Sequence, residues 1–194
     1  MNGDAGVDIP ILYRDDCVCL IDKPPDVFAH PNPLDREAAD CLHLLGSRLG
    51  RFIYPVHRLD RPTSGAMVLA LTKEAAAELS RQIRNGVVGK QYIALVRGHL
   101  MEERTVDQPL PRDKTGPRVP AKSTVRPLAR VVVDRPVGRY QEGWFSLVQV
   151  SLHTGRYHQA RRHLRSIGHP VIGDTTHGDH APVRGIDGAQ HGGP

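Results

Sequence analysis

The 194-residue sequence predicts an α+β fold, a largely antiparallel mixed sheet with helices packed on it. Three observations lead there. Segments with strand character outnumber helical ones and often follow one another directly, joined by turn residues instead of crossover helices. No strand is followed by G-x-G-x-x-G and no P-loop occurs, so a doubly wound nucleotide-binding sheet fits poorly. With 39% hydrophobic and 24% charged residues, the composition is that of an ordinary globular domain and excludes a collagen-like or wholly disordered chain.

The elements follow in order. Residues 1–8 read as a short disordered lead. Ile11–Tyr13 and Val18–Lys23 are predicted strands separated by the turn pair Asp15-Asp16, and Lys23-Pro24-Pro25 ends the second. Asp35 is placed to cap a helix whose apolar positions Leu42, Leu45 and Leu49 keep helical spacing, with Gly50 ending it. The Met, Val and Leu run of Gly65–Leu71 predicts a buried strand. Thr72 then caps a helix with Ala75, Leu79 and Ile83 on one face, stopped by Asn85-Gly86. Tyr92–Val96 is a further strand. The stretch from Leu110 to Val125, rich in Pro, Gly and basic residues, reads as a mobile loop. Leu128–Val133 and Trp144–Leu152 are strands around a turn containing Gly138, and Arg156–Ile167 is helical with Ala160, Leu164 and Ile167 buried.

One domain over residues 9–180 therefore accounts for the patterned chain, followed by a low-complexity tail, 181–194, expected to be disordered. No apolar run approaches the roughly 18 residues of a membrane span, and the first 30 residues carry no signal-peptide core. Three cysteines are too few, and odd in number, for a disulfide scaffold, so the expected compartment is the reducing cytoplasm and the expected state a monomer without membrane contact.

Charge points to the partner. The formal net charge is +5 and the isoelectric point about 9.4. Between Leu110 and Arg139 there are eight bases against two acids, and between His153 and Pro170 four arginines and four histidines with no acid. Two single-sign blocks of this kind fit a polyanion better than two merely solvated faces.

Two constellations could carry chemistry. In His57-Arg58-Leu59-Asp60-Arg61-Pro62-Thr63-Ser64-Gly65 an acid stands between two arginines in a turn entering a buried strand. Bases so close favour the ionised carboxylate, the form that nucleophilic catalysis needs; on these residues alone a structural Arg-Asp pair explains the pattern as well. In His153–His163, Gly155 precedes a helix start whose N–H groups would suit phosphate, with arginines following; a solvated basic helix is the alternative. Lys90-Gln91-Tyr92 sets an aromatic ring beside a base, able to stack on a nucleobase or simply to fill the core. Cys17 and Cys19, two apart in a strand, would share a face but have no second ligand pair for zinc, and His177, His180 and His191 read as incidental. Ser64 lacks the G-x-S-x-G elbow of a hydrolase. No metal or cofactor is expected.

Taken together, HRLDRPTSG at 57–65, ILYRDD and LIDKP within 11–30, Lys90-Gln91-Tyr92, and TGRYHQARRHLRSIGHPVIGDTTHGD at 154–179 resemble the ordered motifs of the RluA-type pseudouridine synthases. With LMEERTVDQPL at 100–110, the pattern looks most like the family's tRNA pseudouridine synthase C branch. The resemblance implies a pseudouridine synthase catalytic fold, an isomerase that converts uridine to pseudouridine without metal or cofactor, and an RNA substrate, tRNA ahead of ribosomal RNA. It also implies roles: Asp60 as the catalytic aspartate, Arg58 as the residue that enters the RNA and helps displace the target base, Tyr92 as the ring that packs on uracil, and Arg161 as the partner of the catalytic carboxylate. Arg61, Lys90, Arg156 and Arg162 are candidate RNA contacts. Three positions depart from the pattern. Asp26 stands where Gly is usual, Ala160 replaces Leu or Ile, and Ala181–Pro194 takes the place of further sheet. The last departure leaves a catalytically silent RNA-binding module as the alternative, and no RNA-binding module is expected ahead of Ile9.

Overall fold

The computed structural model describes residues 7–35, 37–113, 115–134 and 142–178. The chain divides into two compact units, Met1–Val88 and Gly89–Pro194.

The first unit is a four-stranded antiparallel sheet in the order β1-β2-β4-β3, formed by β1 (Ile11–Arg14), β2 (Val18–Lys23), β3 (Tyr54–Pro55) and β4 (Gly65–Ala70). Asp15 makes the first turn: its Oδ1 accepts both the Cys17 and Val18 N–H groups at 2.7 Å. Cys17 is therefore exposed in the turn while Cys19 is buried in the strand, so the two thiols do not share a face as the sequence suggested. Helix α1 (Cys41–Leu49) ends at Gly50, whose φ of 62° is the left-handed conformation that glycine tolerates best. Its cap is Asp40, not Asp35, with the Asp40 carboxylate accepting the His43 N–H at 3.0 Å. The start is delayed because Phe28 donates to the Ala39 carbonyl and accepts from the Cys41 N–H, a bridge that holds Asp40 extended just ahead of the helix. Asp35 belongs to a tight turn, its N–H donating to the Asn32 carbonyl. Helix α2 (Lys73–Arg84) is capped by Thr72 as expected; Ala75, Leu79 and Ile83 are half-buried along its inner face.

The second unit is a four-stranded antiparallel sheet in the order β5-β10-β9-β6, with β5 (Lys90–Arg97), β6 (Arg104–Asp107), β9 (Lys122–Val133) and β10 (Gly143–Leu152). A small hairpin pairs β7 (Leu110–Pro111) with β8 (Arg118–Val119). Helix α3 (Gln159–Ser166) packs Leu164, Ala160 and Ile167 onto Val96, Val125, Val148 and Val150. The stretch read as a loop, 110–125, is thus largely ordered. Asp113 Oδ1 accepts the Thr115 and Gly116 N–H groups to close the hairpin, and β9 starts at Lys122. Pro127 lies inside β9 at a register shift opposite Leu147 and Val148, a bulge where a missing N–H is tolerated. The predicted turn at Gly138, residues 1–6 of the lead and the tail 181–194 lie outside the described residues. Among the described residues, no helix is long and apolar enough to cross a membrane.

Candidate active site

Asp60 sits at the mouth of β4, and the strand pairing explains why the loop is held there. Lys23 at the end of β2 pairs with Gly65 at the start of β4. From that position the Lys23 ammonium, fully buried, donates to the carbonyls of Pro24 and Val27 at 2.7 Å and of Arg61 at 3.0 Å. One buried cation thus ties the segment after β2 to the loop that carries Asp60, whose carboxylate it attracts electrostatically. Burial pushes the Lys23 pKa down, opposed by the charges of Cys41, Asp26 and Asp60. The Asp60 carbonyl accepts the Thr63 N–H at 3.0 Å, closing a four-residue turn. Gly65 then has φ of 118°, where a side chain would be strained. His57 Nε2 accepts the Val68 N–H at 3.0 Å and so continues the β4 edge where the short β3 stops.

The flanking arginines do not act as a symmetric pair around Asp60. Arg61 directs Nε to the Asp26 carbonyl at 3.0 Å, and its guanidinium lies 4.8 Å from the centre of the Phe28 ring. Arg58 is exposed. Asp26 itself has φ of 61°, a left-handed conformation at the position where the resemblance leads to an expected Gly.

In the second unit, the TGRYHQ segment is tied to β9 by a closed polar network. Gln159, 1% exposed, accepts at Oε1 from the Thr154 hydroxyl and the Arg156 N–H, and donates from Nε2 to the Lys122 carbonyl and Ser123 Oγ. Ser123 Oγ in turn meets His163 Nδ1 at 2.8 Å, and His163 Nε2 lies 3.0 Å from the Gln108 carbonyl. A carbonyl can only accept, so His163 carries its proton on Nε2 and takes the serine proton's hydrogen bond on Nδ1. This network also corrects the phosphate-site expectation. Helix α3 begins at Gln159, four residues past Gly155, and the Arg156 N–H is already used. Lys90 reaches the Thr154 carbonyl at 3.2 Å, and a Cβ on Gly155 would stand 3.1 Å from its ammonium. Burial lowers the Lys90 pKa, with a smaller contribution from Arg156. Arg156 Nε donates to the Pro120 carbonyl at 3.0 Å, and Arg162 is half-buried on α3. Tyr92, half-buried on β5, packs against the apolar cluster.

Arg161 makes a two-pronged bond to Asp174, Nε to Oδ2 at 2.7 Å and Nη2 to Oδ1 at 2.6 Å. Asp174 also accepts the Thr176 and His177 N–H groups at 2.9 Å. Burial alone would raise the Asp174 pKa, but the Arg161 and backbone hydrogen bonds outweigh it and hold the carboxyl well below the usual range. His177 Nε2 meets Nδ1 of His158 at 2.8 Å, and His158, with φ of 50°, is the left-handed residue preceding α3.

Among the sequence candidates, Arg58, Asp60 and Arg61 thus share one loop of the first unit, while Lys90, Tyr92, Arg156, Arg161 and Arg162 lie in the second. Lys23, Asp174 and His177 were not singled out. The LIDKP and GD segments contained two of them, but nothing in their spacing shows a lysine turning inward or an aspartate reaching back across a helix. Among the described residues no group of three His, Cys, Asp or Glu is placed to hold a metal ion.

A family model described as RNA pseudouridylate synthase matches residues 18–166, from β2 to the end of α3. A curated relative from Yersinia pestis, named tRNA pseudouridine synthase C, is 39% identical over 94% of this chain and 75% of its own length. One of the same name from Pectobacterium carotovorum subsp. carotovorum is 37% identical over 92% of this chain and 50% of its own. Of solved structures, Human RNA Pseudouridylate Synthase Domain Containing 1 superposes with a TM-score of 0.73 at 28% identity, covering 92% of this chain and 73% of that one. The HRLDRPTSG turn latched by Lys23 and the Gln159 network at the head of α3 both lie within the matched span, and the chain belongs to the RNA pseudouridylate synthase family.

Proposed function

We propose that this protein isomerises uridine to pseudouridine in tRNA, with Asp60 as the catalytic carboxylate. The observation that carries the reading is the fixed HRLDRPTSG turn, in which a buried ammonium fastens the backbone beside Asp60. The tRNA part rests on the names of the curated relatives. In the reaction the bond from uracil N1 to ribose C1′ breaks, the base turns over, a bond from C5 to C1′ forms, and the proton lost from C5 is matched by one taken up at N1, so the product is an isomer of the substrate and no oxidant or reductant is needed. Asp60 attacks the nucleoside, Arg58 enters the RNA as the target base is displaced, Tyr92 packs on the uracil, and Arg161 pairs with the carboxylate. Arg61, Lys90, Arg156 and Arg162 serve RNA binding, which has to offset an unstacking cost of a few kcal/mol. The protein acts in the cytoplasm, where tRNA is modified.

The test is tritium release from tRNA and ribosomal RNA transcripts made with C5-tritiated uridine, comparing the parent with Asp60→Asn. Release from tRNA by the parent alone is expected. Release from ribosomal RNA only would move the substrate, and release undiminished in Asp60→Asn would remove Asp60 from the chemistry. A folded parent that binds RNA and releases nothing would be a silent binding module.

A further inference from the structure

We infer that Asp174 is a positioning residue for the reaction: held by its own turn, it fixes the Arg161 guanidinium in the orientation that the chemistry uses. The inference rests on the role given to Arg161 above, and Asp174 lies beyond residue 166, where the family match ends.

The backbone delivers Asp174 independently of Arg161. After α3 the chain runs along the edge of β5, with the Arg97 N–H donating to the Pro170 carbonyl at 3.0 Å, the Ile172 N–H to the Leu95 carbonyl at 2.9 Å, and Val171 bridging to Val96. The strand that carries Tyr92 therefore also anchors the segment leading to Asp174. Gly173, with φ of 77°, turns the chain out of this pairing. The turn is then closed by the Gly178 N–H donating to the Asp174 carbonyl at 2.9 Å. A Cβ at Gly178 would lie 2.1 Å from that oxygen, so only glycine closes the turn in this form.

Two backbone donors, from Thr176 and His177, converge on Oδ1, so the turn itself holds the Asp174 carboxylate beside the bond from the arginine. The two side chains are well shielded, that of Asp174 3% exposed and that of Arg161 17%. The two-pronged bond engages two of the five guanidinium N–H groups and thereby fixes the plane in which the others are presented. A single-point contact would leave that plane able to rotate. The His177–His158 hydrogen bond ties the same turn to the head of α3, the helix from which Arg161 projects, which holds both ends of the ion pair in one frame.

The experiment compares the full-length parent with Asp174→Asn, Arg161→Lys and the double variant, reading kcat and KM from C5-tritium release and the melting temperature alongside. Asp174→Asn keeps an acceptor for the turn but replaces one prong with an amide. Expected is a fall in kcat of tenfold or more with KM for RNA within twofold, a similar loss in Arg161→Lys, and no further loss in the double variant. Asp174→Glu, which keeps the charge and moves it by one methylene, is the deciding variant should Asp174→Asn melt early; the same kcat loss at unchanged KM is expected. Parent-like kcat in the folded aspartate variant, or losses that multiply in the double variant, would overturn the inference and leave the proposed function standing. A parent that releases no tritium from any RNA removes both.

Discussion

At the scale of the residue, Lys23 has the largest consequence for the site. Its ammonium has three carbonyl partners from two separate segments, all reached because β2 and β4 run side by side to their common end. Hydrogen bonds from a charged donor are individually stronger than neutral ones, and removal of this donor also strands three carbonyl oxygens away from water. Lys23→Met, close in length and wholly apolar, should therefore destabilise the first unit by on the order of 3 kcal/mol, read by urea unfolding followed by far-UV circular dichroism. Activity should fall further than stability alone explains, because the Arg61 carbonyl is released one residue from Asp60. A Lys23→Met protein with parent-like unfolding midpoint would show that the latch is dispensable. Nothing in the sequence distinguished this lysine from a surface one: the pattern of β2 places it on the inward face, yet inward lysines are rare and their partners, backbone carbonyls, have no sequence signature. Arg161 was legible through its motif, whereas its bond to Asp174 joins a helix to a turn 13 positions later in the chain, a contact that periodicity does not encode.

Among the elements, those with local causes were legible and those with distant partners were not. Thr72 and Gly50 mark helix ends by chemistry within a few residues, and both ends lie where the sequence put them. The start of α1 lies later than its sequence signals because Phe28, outside the helix, bridges to Asp40 and holds it extended. The strand β9 starts at Lys122, ahead of the predicted Leu128, and carries Pro127 inside it beside the register shift at Leu147 and Val148, a bulge where proline is tolerated. The two-residue strands β7 and β8 are too short to show alternation. The turn before β4 allows a test at this scale. Gly65 at φ of 118° lets the chain pass from the Asp60 loop into the strand. Space is not the obstacle, since a Cβ there would meet nothing within 4 Å; the backbone conformation is. Gly65→Ala should cost on the order of 1–3 kcal/mol of strain and lower kcat by shifting the turn, whereas Ser64→Ala, in an exposed neighbour, should leave the melting temperature unchanged. Equal melting temperatures for parent and Gly65→Ala would show that the turn relaxes without strain.

On the scale of the whole molecule, the buried titratable groups predict how the protein responds to acid. His163 is fully buried and His177 partly so, and burial pushes both pKa values below the ordinary 6.5. For His163 the bond to the Gln108 carbonyl and the charge of Asp107 act against burial while Arg162 adds to it; for His177, Arg161, Arg162 and Arg165 reinforce the fall and Asp174 opposes it. Between each depressed folded value and 6.5 the unfolded chain binds more protons than the folded one, so stability rises with pH through that window and is lost as the pH falls through it. Asp174 adds a second loss at lower pH. Its carboxyl is held below its ordinary value of 3.8, so its stabilising contribution is complete above that value and disappears as the pH falls toward the folded pKa. The melting temperature should therefore be level from pH 8 to 7, decline from pH 6.5 downward, and steepen again below about pH 4. His163→Gln separates the contributions: it removes one of the two imidazoles whose pKa burial lowers, lowering stability at pH 7 but flattening the decline between pH 6.5 and 5. An unchanged slope in that variant would mean that His163 titrates alike in the folded and unfolded chain, and that its place between Ser123 and the Gln108 carbonyl does not hold it neutral.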